Sequence, residues 1–392
     1  MYRSQISPLN VEIHVYFNNF FCSAYFSDSS NLVATMPSLS PPLDCGFNED
    51  TINMTITSLY FLSFIPALII NGVAAWVCMH LRSTSTFMVY LKNLLAADLL
   101  MTLTIPLKAA NILPSAPLAL KAFSCRYSDV IFYLCMYMSI ILLGLISLDR
   151  FFKIIRPCGR LLGQNLVFGK VLSASIWVVL LATDVIPTMI LTNQDPTNKT
   201  NEACMEMKSE AGHGLHRGVV IFNNSIFWVV CVLICFCYIC IARKVFKSYR
   251  KSGSSNDEGR HKTNVRVFLV LVVFLVCFGP YHAIRIPYTQ LQVTQTTSCA
   301  KATFRISKKI TLWMSAMNVC LDPLIYFFLC KTFRTTLFKT LRLPPGTCCW
   351  LTGRGSDPNT AEDQTQTQET PLGDSNQIKS NVICHMHRIL QV

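Results

Sequence analysis

The stretch "CFGPYHAIRIPYTQ" (277–290) ends an almost wholly apolar run in a histidine, an arginine and a tyrosine. Phe278, His282 and Arg285 fall at i, i+4 and i+7, so on a helix they share one face, with Tyr288 a turn further on. If that face looks into a helix bundle, Phe278 makes a floor and the polar groups a wall. Arg285 can then grip phosphate oxygens bidentately. The competing reading is that Arg285 snorkels to lipid headgroups while His282 bonds a neighbouring helix. Other residues tilt the balance: Lys308, Lys121 and His216 stand at the ends of apolar runs, while Tyr133, Met136 and Tyr137 supply an aromatic and apolar side. With Gln292 this set is expected to form a cationic mouth over an aromatic floor, where Tyr133 can stack on a base.

A second group lies deeper. Asp98 and Asp322 are carboxylates inside apolar runs, and ionisable groups there are costly enough to require a function. With Asn71, Ser139 and Asn318 they offer oxygens enough for a sodium ion with water. They serve equally well as a water-filled hydrogen-bond network holding helices together. Asp149 and Arg150 adjoin at the end of another apolar run, where the bland reading is an interfacial salt bridge. No HExxH or GxSxG sequence and no Cys/His cluster with metal spacing occurs, which argues against an enzyme, and no cofactor is expected. No internal repeat with broken half-helices suggests a transporter.

The elements that must position these residues are membrane spans. Of 392 residues 52% are hydrophobic and only 14% charged, and the apolar residues come in long runs. Seven runs are long enough, or nearly so, to cross a hydrocarbon core of roughly 30 Å. They centre on 58–79, 88–107, 130–148, 171–191, 219–242, 267–284 and 310–329. The expected fold is therefore an all-α membrane protein, a seven-transmembrane helix bundle with a short amphipathic eighth helix. Lys and Arg concentrate after the third run (Arg150, Lys153, Arg156, Arg160, Lys170) and after the fifth (Arg243 to Arg266), which places those loops inside and the N-terminus outside. The net charge of +13 then faces anionic lipid and a partner protein, and nucleic acid is not invoked.

The domain plan that follows is an extracellular tail (1–55), a seven-transmembrane bundle (56–329), an amphipathic membrane-surface helix (330–343) and a polar cytoplasmic tail (344–392). The first tail lacks the basic start and compact apolar core of a signal peptide, and Met36 is an alternative start. "CKTFRTTLFKTLRL" sets Phe333, Leu337 and Leu341 on one face among basic residues, as in a helix lying on a leaflet. Cys348 and Cys349 after it are either palmitoylated or plain thiols. The Ser/Thr-bearing last segment is a candidate for phosphorylation. Asn53 and Asn198 open sequons on the outer side, whereas the sequon at Asn223 falls inside the fifth run and is set aside. Most of the 18 cysteines lie within spans; Cys45, Cys125, Cys204 and Cys299 sit on the oxidising side, where four thiols allow three pairings.

Several short motifs occur in one order: "NG" in the first span, "LAAD" in the second, "LDRFF" in the third, Trp177 in the fourth, "CFGP" in the sixth and "DPLIY" in the seventh. Over about residues 55–340 the chain resembles the rhodopsin-like G-protein-coupled receptors. "STFMVYLKNLLAADLLMTLTIPLK", "VIFYLCMYMSIILLGLISLDRFFKIIRP", "YHAIRIPYT" and "NVCLDPLIYFFLCKTF" are more narrowly similar to the purinergic nucleotide receptors of the ADP and UDP-sugar subgroup. "DRFFKIIRP" and "KVFKSYRKS" are closest to its ADP receptors.

That resemblance implies a plasma-membrane receptor for an extracellular nucleotide, foremost ADP, coupled to an inhibitory heterotrimeric G protein, with arrestin as a partner of the phosphorylated tail. It implies Cys125–Cys204 and Cys45–Cys299 as the disulfides. It gives Arg285, Lys308 and Tyr288 the phosphates, and Asp149, Arg150, Phe278, Pro280, Asp322, Pro323 and Tyr326 the activation machinery. In that machinery Pro280 breaks the sixth helix's hydrogen-bond ladder so its inner half can swing, and Arg150 leaves Asp149 to help form a G-protein cleft. Some positions depart from the subgroup: Lys309 replaces a usual glutamate, and Thr188 and Val220 replace asparagines. Asp129, a turn above Tyr133, would repel phosphate unless paired with Lys121, Lys309 or Arg285. Asp184 has no account at this level. A UDP-sugar receptor, a lysophospholipid receptor and a constitutively active receptor without a ligand remain the alternatives.

Overall fold

A computed structural model describes residues 48–83, 85–155, 165–195, 203–251, 257–291 and 298–340, all within the unit Cys45–Val392. The expectations for residues 1–44, Cys45, Asn198, Gln292, Leu341, Cys348, Cys349 and the last segment lie outside them.

The described residues fold as helices α1 (Glu49–Met79), α2 (Thr86–Ile112), α3 (Leu118–Ile155), α4 (Leu166–Leu191), α5 (Glu210–Lys251), α6 (Asp257–Leu291), α7 (Ser298–Ala316, continued as Asn318–Leu329) and α8 (Lys331–Thr340). The first seven are each long and apolar enough to cross a membrane. Most run well past the apolar cores read from the sequence. Hydropathy sees only the part of a helix that lipid requires, while the backbone pairs with itself beyond the hydrocarbon. Helix starts follow local chemistry: Asn48 Oδ1 accepts from the Asp50 and Thr51 amides at 3.0 and 3.2 Å, ahead of acidic Glu49 and Asp50. Ser85 and Asn165 cap α2 and α4 in the same way.

Burial separates the roles of the helices. In its most apolar window α3 is 78% buried and α4 only 17%, so α3 is the central post and α4 a lipid-facing stave. The exposed Leu62 and Ile69 of α1 and Val229 and Val232 of α5 are explained by hydrocarbon and not by a missing partner. Small residues set the closest approaches. A Cβ built on Gly144 of α3 would stand 2.8 Å from Val230 Cγ1 of α5, so only glycine fits there without movement. Trp177 Nε1 donates to Asn93 Oδ1 at 3.1 Å and ties α4 to α2.

Two five-residue π-turns interrupt α3 at Ser124–Ser128 and α4 at Leu181–Val185. Each widens its helix where Cys125 and Asp184 turn toward the same end of the bundle. α8 leaves α7 at Cys330; Phe333 is buried against the Tyr326 ring, and Arg334 Nη1 donates to the Phe327 and Phe328 carbonyls at 3.1 and 2.9 Å. That arginine satisfies carbonyls that the end of α7 would otherwise leave open.

Candidate ligand-binding site

The Cys125–Cys204 disulfide ties the start of α3 to the segment before α5, and beneath it lies a cavity of about 450 Å³. Cys299 is disulfide-bonded as well; Cys45, its expected partner, lies outside the described residues. Arg285, Tyr288, Lys308, His216, Lys121, Tyr133 and Tyr137 all border this cavity, contributed by α3, α5, α6 and α7.

The sixth helix presents a different face from the one read in the sequence. Tyr281, Arg285 and Tyr288 line the cavity, again at i, i+4 and i+7, but displaced from the expected set. His282 does not border it. Its ring is 1% exposed and stacks on Phe227 of α5 at 3.9 Å and 10°, with Nδ1 donating to the Phe278 carbonyl at 2.8 Å. Phe278 and Met136 are also fully buried in the core below and are not its floor. The reason is packing: Phe227 sits between His282 and Phe274, at 3.9 and 5.5 Å, and that stack fixes the rotation of α6 against α5.

Arg285 is 5% exposed and has no carboxylate partner among the described residues. Its guanidinium sits 6.0 Å from the Tyr133 ring centroid, and Lys308 Nζ sits 4.5 Å from that of Tyr288. A buried guanidinium facing an open space without a counter-ion is costly until an anion supplies one. Lys208, four residues past Cys204, also borders the cavity; burial first and the Arg285 charge second hold its amine down at about 8. The sequence signal for Lys208 was its tether: any residue just past a cysteine bonded to α3 must hang over the mouth.

The acidic residues find partners that the sequence did not name. Asp129 pairs with Lys108 of α2, Nζ to Oδ2 at 3.0 Å, and not with Lys121, Lys309 or Arg285. Lys309 instead donates to Asn53 Oδ1 at 2.8 Å. That contact overturns the expected glycan at Asn53, because the asparagine is inside α1, 5% exposed and borders the cavity. Asp184 accepts from Asn223 Nδ2 at 2.8 Å and from Thr183 Oγ1 at 3.1 Å, so it joins α4 to α5 beside Thr188 and Val220 on the cavity wall.

Midway along the bundle Asp98 Oδ2 accepts from the Tyr326 hydroxyl at 2.8 Å, and Asp322 Oδ2 from Asn318 Nδ2 at 3.2 Å. Asn71 Nδ2 donates to the Val319 carbonyl at 2.7 Å. The remaining oxygens of Asp98, Asp322, Asn71 and Asn318, with Ser139 Oγ, have no hydrogen-bond partner among the described residues. Two carboxylates with amide and hydroxyl oxygens are a donor set that suits a hard monovalent cation with water. Above this level Ser315 Oγ donates to the Cys277 carbonyl at 3.0 Å, close to where Pro280 withdraws a donor from α6. Pro323 does the same to the second part of α7.

At the far end of α3 the expected Asp149–Arg150 pair is absent. Asp149 accepts from Thr86 Oγ1 at 2.8 Å and from Lys153 Nζ at 2.6 Å. Arg150 turns away, with its guanidinium 3.7 Å from the Phe87 ring centroid and Nη2 donating to the Leu329 carbonyl at 3.3 Å. Neighbours in sequence on a helix point about 100° apart, so Lys153 at i+4 is better placed for Asp149 than Arg150 is.

The 7 transmembrane receptor (rhodopsin family) model matches residues 70–326. The chain belongs to that family: it is a multi-pass membrane receptor and not an enzyme. Within the family it is P2Y-like, being 41% identical over 312 residues to P2Y purinoceptor 13 of Homo sapiens, covering 77% of this chain and 88% of that one. P2Y purinoceptor 14 of Bos taurus is 40% identical over 306 residues (77% and 90%), and G-protein coupled receptor 87 of Mus musculus 40% over 292 residues (74% and 80%).

Proposed function

We propose that the chain is a cell-surface receptor whose N-terminus is outside the plasma membrane and whose ligand is an extracellular nucleotide, foremost ADP, signalling through an inhibitory G protein to lower cAMP. The observation that carries this reading is the Arg285 guanidinium, buried with no carboxylate partner among the described residues at the wall of a cavity shared with Lys208, Lys308 and five tyrosines. Arg285, Lys208, Lys308 and Tyr288 take the phosphates, with Lys121 and His216 adding positive charge or donors at the rim. Tyr133 and Tyr137 flank the base. A UDP-sugar is the second ligand class this wall accommodates. A lysophospholipid fits less well, because Asn53, Asp129, Asp184 and Asn223 put polar groups on the lining where an acyl chain needs apolar surface. A constitutively active receptor is disfavoured by the internal partners that hold Arg150.

Agonist binding draws the ends of α6 and α7 that carry Arg285 and Lys308 toward α3, and α6 yields at Pro280. Arg150 and Tyr326 leave Leu329 and Asp98 to form the inner cleft for the G protein, while a sodium ion between Asp98, Ser139, Asn318 and Asp322 favours the inactive bundle. α8 rests on the inner leaflet, and the Ser/Thr tail, once phosphorylated, recruits arrestin. The deciding experiment is inhibition of forskolin-stimulated cAMP by ADP in cells displaying the receptor, with and without pertussis toxin. A toxin-sensitive response is expected; a displayed receptor silent to ADP and UDP-glucose but responsive to lysophosphatidic acid overturns the nucleotide assignment.

A further inference from the structure

The cavity is not uniformly cationic. Lys108 and Asp129 form an ion pair at 3.0 Å with side chains 9% and 15% exposed, and Lys108 Nζ lies 5.5 and 5.7 Å from the Phe132 and Tyr133 ring centroids. Arg285 lies 6.0 Å from the same Tyr133 ring. One aromatic side chain therefore adjoins two cations, of which one is neutralised and the other has no carboxylate partner among the described residues. The pair uses only half of the carboxylate. Among the described residues Asp129 Oδ1, buried at the cavity wall, accepts from nothing, and the Tyr60 hydroxyl on the same cavity also lacks a partner. A buried charged acceptor left unmade is among the more costly defects a protein can carry, and a ligand donor removes it.

We propose that Asp129 determines specificity. Fixed by Lys108, it accepts a hydrogen bond through Oδ1 from a hydroxyl or amino group on the uncharged part of the ligand, and it withholds Lys108 from phosphate. The cavity is thereby polarised: phosphate is held at the Arg285 side, and a donor-bearing group is read at the Asp129 side. The pair does more than splice α2 to α3, since a purely structural tie needs neither an open oxygen nor a place on the cavity wall. The identity of the donor rests on the nucleotide reading above; the withholding of Lys108 does not.

The test measures binding of ADP, IDP, UDP, UDP-glucose and inorganic pyrophosphate to the full-length receptor in lipid nanodiscs. ADP carries an exocyclic amine where IDP carries a carbonyl beside a ring N–H, while UDP-glucose adds sugar hydroxyls to UDP, so the two pairs separate an exocyclic amine from a hydroxyl donor. Wild type prefers the donor-bearing member of one pair, and Asp129→Asn, which turns an amide donor toward the ligand's donor, reduces that preference about tenfold. Asp129→Ala frees Lys108, and pyrophosphate then binds about tenfold tighter. The double variant Lys108→Met/Asp129→Asn returns pyrophosphate to the wild-type value without restoring the preference, an outcome that loss of a structural tie does not give. Unchanged preference in Asp129→Asn, or no tightening of pyrophosphate in Asp129→Ala, overturns the proposal. If none of the four nucleotides binds wild type, the nucleotide reading falls together with the donor contact, and the pyrophosphate arm alone decides whether Asp129 withholds Lys108.

Discussion

Two arginines, Arg285 buried at the cavity and Arg150 half-buried at the opposite end of α3, use the same chemistry to different ends. Arg150 is held from inside the protein, against the Phe87 ring and by the Leu329 carbonyl that accepts from Nη2, while Asp149 beside it is filled by Thr86 and Lys153. Arg285 has aromatic neighbours but no carboxylate partner among the described residues. A group whose partners are internal changes state only when the helices carrying those partners move. A group left open to a cavity changes state when something enters it. Arg150 therefore belongs to a switch and Arg285 to a binding site, and the polar cluster around Asp98 and Tyr326 lies between them.

The sharpest way to break this contrast is Arg285→Ala. Losing a charge-assisted contact of roughly 2–3 kcal/mol weakens nucleotide potency about 30- to 150-fold. Basal signalling should not move, because no internal partner is lost. A displayed Arg285→Ala receptor with unchanged potency would remove the reason for separating the two arginines.

A smaller effect comes from Lys208. Its amine is held down at about 8, so it is mostly charged at pH 7 and mostly neutral at pH 9 before ligand arrives. Bound phosphate favours the charged form, so affinity is full below pH 8 and declines above it, by at most about tenfold at pH 9. Nucleotide phosphates complete their own ionisation at about pH 6 to 7, so the window from 7 to 9 isolates the lysine. Lys208→Arg, which stays charged, should flatten the profile; a wild-type profile that is already flat would take Lys208 out of the site.

How much of this was legible in the residues depended on what constrains each one. The seven spans were legible because hydrocarbon forbids unpaired backbone and imposes long apolar runs, a constraint written locally. The face of α6 was not. Moving the set by one residue turns a helix by about 100°, and the decision was made by Phe227 of α5, 55 residues before His282. Asp129 was recognised as needing a cation, but Lys108 could be chosen over Lys121 and Lys309 only once α2 and α3 were packed together. The sequon at Asn53 shows the same limit from the other side. Its pattern spans three residues, whereas its burial depends on Lys309, 256 residues away in the sequence.

The smallest predicted effect tests the other arginine's surroundings. Thr86 is 2% exposed at the start of α2, and its hydroxyl gives Asp149 one of its two partners. Thr86→Val keeps the shape and removes the donor, which loosens α2 from α3 at the switch while leaving Lys153 in place. A hydrogen bond of about 1 kcal/mol corresponds to a shift of roughly fivefold in a two-state equilibrium, so basal G-protein activation should rise a few-fold. Nucleotide affinity should rise with it by no more than the same factor, since the variant alters the population of the competent bundle and none of the ligand's contacts. Arg285→Ala thus lowers potency at constant basal activity, while Thr86→Val raises basal activity and potency together. A Thr86→Val receptor with wild-type basal activity would mean that Lys153 alone suffices to hold Asp149, and that the switch is governed nearer to Leu329 and Tyr326.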